Sequence, residues 1–386
     1  MRSSAKSKAL RFAIVVTNLA DGGAQRVMLT FAREMARNGM LHRFYLLDPT
    51  RVAFSKEAEE VSPQGVLGNL GSKWLYLFCL PVLWMHFLIS RPDVVFSTLS
   101  LCNIITIIAA RLTPFYRPLV IVREATTLGA RYSTRGLLSR ILVLLAARTY
   151  PLADIVIAPS VGVAEDLIQR VGVSSLKVHV INNPAVPPDF EELRAEPVSH
   201  EFFDGSGSPL FVAMGHLGPV KGFDVLIDAF VTVVREVAGA RLVILGDGAE
   251  RPTLTRQIDR LGLTAAIDLL GFRQNPFPYL HKADVFVLSS RWEGSPNALI
   301  QALACGLTTV ATDCRSGPRE ILKDGTIGYL VPVDDRKALA DAMIRAVRHP
   351  FSKEKILERA DDFGHEPPFR RLLDICSELM AEKRHG

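Results

Sequence analysis

The stretch Ala283 to Gly306, ADVFVLSSRWEGSPNALIQALACG, decides how the chain is read. Its apolar run Val285–Leu288 has the length and composition of a strand buried on both faces. A polar turn follows, with one carboxylate, Glu293, and then Gly294, Ser295 and Pro296. Ser295 suits a helix N-cap and Pro296 the first helical position, where a missing N–H costs nothing. Gly306 is placed to close the helix. A strand that runs straight into a helix N-terminus offers free N–H groups and a positive dipole end at the carboxyl edge of a parallel sheet, which suits an anion. Glu293 beside it accepts hydrogen bonds from hydroxyl groups. A phosphate next to hydroxyls describes a sugar nucleotide.

The rest of the chain repeats this strand-to-helix grammar. Apolar runs alternate with helical patterns, which argues an α/β fold with parallel sheets. In the first half strands are expected at 12–17, 43–47, 94–97, 119–122, 155–158 and 178–181. In the second half they are expected at 210–214, 241–245, 267–270, 285–288, 308–311 and 328–331. At 386 residues the chain exceeds one small core. The proline-rich, acidic stretch 191–208, ending in Asp204-Gly205-Ser206-Gly207-Ser208, reads as a linker between domains at 1–190 and 209–386. Two Rossmann-like domains facing across a central cleft are the expected product, with ligands at the carboxyl ends of the strands.

Five scattered cysteines with no C-x-x-C pair point to reduced, buried thiols and a cytoplasmic setting. The basic start, MRSSAKSKALR, leads directly into a strand, with no apolar core of a signal peptide. The net charge of +5 is uneven: residues 1–190 carry 21 Lys+Arg against 12 Asp+Glu, and the remainder is acidic. A basic half suits a polyanion or an anionic membrane surface, and the absence of an aromatic-interleaved basic motif argues against nucleic acid. Trp74 to Ser90, WLYLFCLPVLWMHFLIS, is slightly short for a span and contains Pro81 and His86. It is read as a packed helix. A partly exposed helix at the membrane interface, flanked by Lys73 and Arg91 and aided by Arg131, Arg135, Arg140 and Arg148, is the other reading. The same arginines also suit the solvated face of an amphipathic helix.

Five segments carry a family resemblance, in order. They are Asn18 to Val27, with its Gly22-Gly23 pair; Gly215-His216-Leu217 through Lys221-Gly222-Phe223-Asp224-Val225-Leu226; Gly246-Asp247-Gly248; Leu270-Gly271-Phe272; and Glu293 to Gly306. The last resembles the Glu-x7-Glu motif of the family 4 retaining glycosyltransferases, with Gln301 where the second glutamate belongs. The resemblance covers most of the chain and implies the GT-B architecture of two Rossmann-like domains. It also implies transfer of a sugar from a nucleotide diphosphate sugar, UDP-linked hexose or N-acetylhexosamine, to a hydroxyl of a lipid-linked or cell-surface saccharide.

Such a transfer must stabilise a departing diphosphate with cations or N–H donors set in place beforehand. By resemblance Lys221 binds the diphosphate, and His216 stands where the family has arginine, with fewer donors. Glu293 accepts from the donor sugar, while Gly294, Ser295, Pro296 and Asn297 form the helix start beside it. Gln301 takes the ribose position, where an uncharged carbonyl still accepts one bond, so that Gln301→Glu is expected to be tolerated. Arg273 and Phe272 border the base, and Gly22 and Gly23 let backbone approach a phosphate. Ser316, Gly317 and Glu320 are further cleft candidates or a solvated helix start. Arg123 and Glu124, ending a first-half strand, are acceptor-side candidates or a structural ion pair. With no Asp-x-Asp run and no His/Cys cluster, neither a metal nor a cofactor is implied. The competing readings are a non-catalytic nucleotide-sugar-binding relative and an NAD-dependent oxidoreductase. No G-x-G-x-x-G follows the first strand, which counts against the oxidoreductase.

Overall fold

Short runs of Val, Ile and Leu without polar alternation need cover on both faces, which a parallel sheet between helix layers supplies. A computed structural model describes residues 10–385, apart from 21, 51, 53–54, 68–75, 77, 129–135 and 204–206. Asp21, Lys73, Trp74, Arg131, Arg135 and Asp204 to Ser206 therefore lie outside the described residues. The first sheet has β1 (Phe12–Val16), β2 (Leu41–Leu46), β3 (Gln64–Gly65), β4 (Val94–Thr98), β5 (Leu119–Arg123), β6 (Ile155–Ala158) and β7 (Val178–Val180). Its order is β3-β2-β1-β4-β5-β6-β7. The second has β8 (Leu210–Met214), β9 (Arg241–Leu245), β10 (Ile267–Gly271), β11 (Val285–Leu288), β12 (Thr308–Thr312) and β13 (Tyr329–Val331), in the order β10-β9-β8-β11-β12-β13. The ladders between these strands are parallel.

Both sheets grow to one side of their first strand and then to the other. The topological switch therefore falls between β1 and β4 in one and between β8 and β11 in the other, the places where open α/β sheets bind ligands. Side chains alternate across the sheet with period two. Ala13 and Val15 enter one core, while Phe12, Ile14 and Val16 enter the core on the opposite face. Phe211 and Ala213 part from Leu210 and Val212 in the same way. The twelve expected strands are all present, to within two residues at their ends. The sequence reading missed β3, whose two exposed residues carry no apolar signal.

The chain divides into two compact units: Met1–Pro159, Val163–Pro184 and His365–Gly386 form one, and Ser160–Gly162 with Ala185–Gly364 the other. The expected linker belongs to the second unit. Within it the short helix Phe190–Arg194 packs its Phe190 ring edge-on against Phe277 at 5.1 Å, and Asn275 Nδ2 donates to Leu193 O at 2.7 Å. The last helix, Glu366–His385, differs from its expected place in the second half. Phe369, Leu372, Ile375 and Cys376 are buried in the core that contains β1, because its apolar stripe completes the helix layer on that face.

Candidate active site

In the second unit β8 ends in a tight path, Gly215 to Gly222, closed by a 3₁₀ turn at Pro219–Lys221 before the helix Phe223–Glu236. β11 ends in the turn that holds Glu293 and leads to the helix Asn297–Ala304. Because β8 and β11 are paired neighbours, the two turns lie side by side at the switch. There Lys221 Nζ donates to Glu293 Oε1 at 2.6 Å, and Ser290 Oγ donates to the same oxygen at 2.7 Å. The Lys221 and Glu293 side chains are 23% and 12% exposed, sheltered but not sealed. Sheltered charges of opposite sign compensate each other's desolvation and stay within reach of a ligand.

Several tethers set this geometry. The Arg291 N–H donates to Val220 O at 2.7 Å, and Ser289 Oγ donates to Lys221 O at 2.8 Å. Arg291 Nη1 and Nη2 grip Asp224 at 3.0 and 2.7 Å, and its Nε donates to Asp334 at 2.8 Å. Burial works to raise the Asp224 pKa, but the hydrogen bond and charge of Arg291 outweigh it and hold the carboxyl below its ordinary value. Gly222 has φ +61°, and a Cβ there would meet Ser289 O at 2.2 Å, so only glycine lets the Lys221 turn lie this close to β11. On the other side the Glu293 N–H donates to Arg315 O and the Ser316 N–H to Glu293 O, both at 3.0 Å. Sequence reasoning assigned no role to Ser290, Arg291 or Asp224. The one hint was Asp224 standing three residues after Lys221 in the same segment.

The helix after Glu293 begins one residue later than expected. Pro296 is the cap, with extended backbone, and Asn297 is the first helical residue; the Leu299 and Ile300 N–H groups close on Pro296 O. The loop is held extended because Gly317 packs against it, where an added Cβ would meet Pro296 Cδ at 2.8 Å. Gly306, at φ +75°, does close the helix, with Leu307 N–H returning to Ala302 O at 3.1 Å. The Gly246-Asp247-Gly248 and Leu270-Gly271-Phe272 segments knit the ends of β8, β9 and β10. Gly246 N–H donates to Gly271 O at 2.8 Å and Leu217 N–H to Asp247 O at 2.9 Å.

The other expected donor-side residues are spread around this centre. His216 is exposed. Arg273 lies against Tyr279, donating from Nε to its hydroxyl at 3.1 Å, beside an exposed Phe272. Gln301 is buried and donates from Nε2 to Ala185 O at 3.3 Å. A glutamate cannot make that bond and would set a carboxylate against the carbonyl, so the expected tolerance of Gln301→Glu is withdrawn. Ser316 Oγ lies 3.1 Å from Gly294 O, and Glu320 accepts the N–H groups of Val161 and Gly162 at 2.8 and 3.2 Å. Cys314 is near Glu293, but burial pushes its thiol up to about 12, so it is no nucleophile at neutral pH.

In the first unit Gly22 caps the helix Gly23–Arg37. A Cβ on Gly22 would meet Gln25 Oε1 at 2.2 Å, so the glycine gives room to the Gln25 amide, which reaches Asn18 Oδ1 at 3.4 Å. Arg123 and Glu124 are closed into the interior, 2% and 0% exposed. Glu124 Oε2 accepts from Tyr150 OH at 2.6 Å and Ser100 Oγ at 2.9 Å, and Oε1 accepts its neighbour's Ala125 N–H at 3.2 Å. Arg123 donates to Asn183 Oδ1 and Thr98 Oγ1. Burial lowers the Arg123 pKa to about 10 against the opposing pull of Glu124, leaving it charged at neutral pH.

The comparisons with known proteins bear on the same two units. Residues 21–186 match the model described as Glycosyltransferase Family 4, and residues 208–349 match Glycosyl transferases group 1. The chain belongs to the family 4 glycosyltransferases. An uncharacterized glycosyltransferase of Methanocaldococcus jannaschii is 31% identical over 264 residues, 60% of this chain and 65% of that relative. The N-acetylgalactosamine-N,N'-diacetylbacillosaminyl-diphospho-undecaprenol 4-alpha-N-acetylgalactosaminyltransferase of Campylobacter jejuni is 27% identical, covering 85% of this chain and 88% of its own. The Anabaena protein HepE, solved with UDP and glucose, superposes with a TM-score of 0.79 at 19% identity, over 96% of this chain and all of its own. That likeness establishes the fold of this glycosyltransferase as GT-B. Among the described residues no helix is long and apolar enough to cross a membrane.

Proposed function

We propose that this glycosyltransferase moves a sugar, with retention, from a nucleoside diphosphate sugar to a hydroxyl of a lipid-linked or cell-surface saccharide, and that the second unit holds the donor. The observation that carries this is the Lys221–Glu293 contact at the switch between β8 and β11. As the bond from sugar C1 to the diphosphate breaks, negative charge grows on the leaving oxygen, and a cation already in place stabilises it without reorganisation. Lys221 supplies that charge. Glu293, with one oxygen occupied by Lys221 and Ser290, orients the sugar hydroxyls, and the Asn297 helix start faces the phosphates. His216 adds a donor, Arg273 and Phe272 border the base, and Gln301 meets the ribose. The UDP and glucose in HepE and the diphospho-undecaprenol acceptor in the name of the Campylobacter relative support a UDP-sugar donor and a lipid-linked acceptor.

Thermal stabilisation by a panel of nucleotide sugars tests the reading. A cognate donor at one hundred times its dissociation constant adds about 2.7 kcal/mol. Turnover of the same donor separates an enzyme from a binding-only relative. Stabilisation without transfer to any acceptor or water would leave only the binding reading.

A further inference from the structure

Two helices of the first unit are apolar on both sides, and among the described residues one side of each is exposed. Cys79–Ser90 buries Cys79, Leu83 and Phe87, while its opposite stripe, Phe78, Met85 and Ile89, is 64%, 51% and 76% exposed. Leu137–Thr149 repeats the arrangement: Val143 and Ala146 enter the same core, and Leu137, Ile141 and Leu144 face out at the i, i+4, i+7 spacing of one helix face. Both pack beside the helix Ser100–Arg111 in one layer over the sheet. Trp84 Nε1 donates to Leu112 O at 3.1 Å, tying the first helix to the loop that follows the middle one. That loop presents Phe115, 93% exposed. A solvated helix face is normally polar, and contiguous exposed apolar surface marks a docking site.

The charge pattern names the partner. From residue 76 to residue 149 the sequence holds eight arginines and two carboxylates, Asp93 and Glu124. Asp93 is paired with Arg11 at 3.2 Å, and Glu124 is buried. Arg117, Arg140 and Arg148 are exposed around the apolar stripes. Apolar side chains edged by guanidinium groups, with hardly a carboxylate at the surface, match a layer of acyl chains beneath phosphates. We propose that this helix layer is a docking surface for an anionic lipid bilayer, seating the first unit in the membrane interface without spanning it. The proposal bears on the lipid-linked acceptor just argued, but a binding assay requires no transfer, so either can fail alone.

The test is flotation of the full chain with vesicles of phosphatidylcholine alone and of phosphatidylcholine with phosphatidylglycerol. Binding to the anionic vesicles only, weakened by salt as the Debye length contracts, is the expected result. Ile89→Asp combined with Leu144→Asp should cut the bound fraction at least roughly tenfold, since each change puts a charge where apolar burial is needed. Circular dichroism melting should stay unchanged, because both side chains face out. Arg140→Glu with Arg148→Glu should weaken binding less, and only at low salt. A parent chain that stays with the soluble fraction, or an Ile89/Leu144 variant that floats like the parent, would overturn the proposal. So would a vesicle-free dimer in sedimentation velocity that the same variant splits, because a second copy would then be the occupant of the face.

Discussion

Charged residues stand at the carboxyl ends of strands in both units, and the fold treats them in opposite ways. After β5, Arg123 and Glu124 are drawn inside, each with its own hydrogen-bond partners, at a position one strand away from the β1/β4 switch. After β8 and β11, Lys221 and Glu293 meet across the switch itself and keep part of their surface open. The difference lies in what satisfies them. Glu124 has its hydrogen bonds supplied by Tyr150, Ser100 and Ala125. The side-chain hydrogen bonds of Glu293 fall on one carboxylate oxygen, Oε1. On the function proposed above, position relative to the switch, more than charge or strand end, separates a ligand group from a structural one.

The largest effect expected is from Glu293→Ala. Loss of one preorganised polar contact costs about 10²–10³ in rate, or about 2.7–4 kcal/mol. Steady-state turnover should fall by that much while the melting temperature holds; a folded Glu293→Ala enzyme with parental turnover would erase the contrast. Glu124→Ala should act in the reverse sense. It takes away the acceptor of the buried Tyr150 hydroxyl, at about 1–3 kcal/mol for a buried group that loses its partner. Urea unfolding should show the loss, and a stable variant lacking only acceptor turnover would return Glu124 to the acceptor side.

Arg291 sharpens the comparison by asking how the open pair is held. Its grip on Asp224 and Asp334 fixes the Lys221 turn, and lysine cannot reproduce a two-pronged contact. Arg291→Lys should lower kcat roughly tenfold through positioning. In a Lys221→Ala background it should add little, because the two act as one unit. Full additivity in that cycle would make Arg291 merely structural. The smallest effect belongs to Gln301. Gln301→Ala should raise the donor KM several-fold with kcat nearly unchanged, since a ribose contact acts alike in ground and transition states. Gln301→Glu should be worse than the parent, because it loses the bond to Ala185 O; equal or better donor binding would show that the amide contact carries no weight.

Reading the sequence recovered what is local. Most of the twelve expected strands are short apolar runs, though His179 and Asp268 interrupt two of them, and Lys221 and Glu293 each sit in a short recognisable segment. It missed what depends on remote partners. Arg291 finds Asp224 67 residues earlier, and Arg123 finds Asn183 60 residues later. Nothing beside Arg123 or Glu124 distinguishes a strand end that the following helices cover from one that stays open. The last helix buries one apolar stripe, and no sequence pattern states which of two apolar sheet faces such a stripe will cover.

The contrast between the two charged sites is tested most directly by measuring UDP affinity by calorimetry, and stability by urea unfolding, on Lys221→Ala and Glu124→Ala. Lys221→Ala should weaken UDP binding at least roughly tenfold, the loss of one charge-assisted phosphate contact, and leave stability within about 1 kcal/mol. Glu124→Ala should lose stability and, where still folded, bind UDP as the parent does. Unchanged UDP affinity in a folded Lys221→Ala protein would contradict the assignment of the second unit's open pair to the donor.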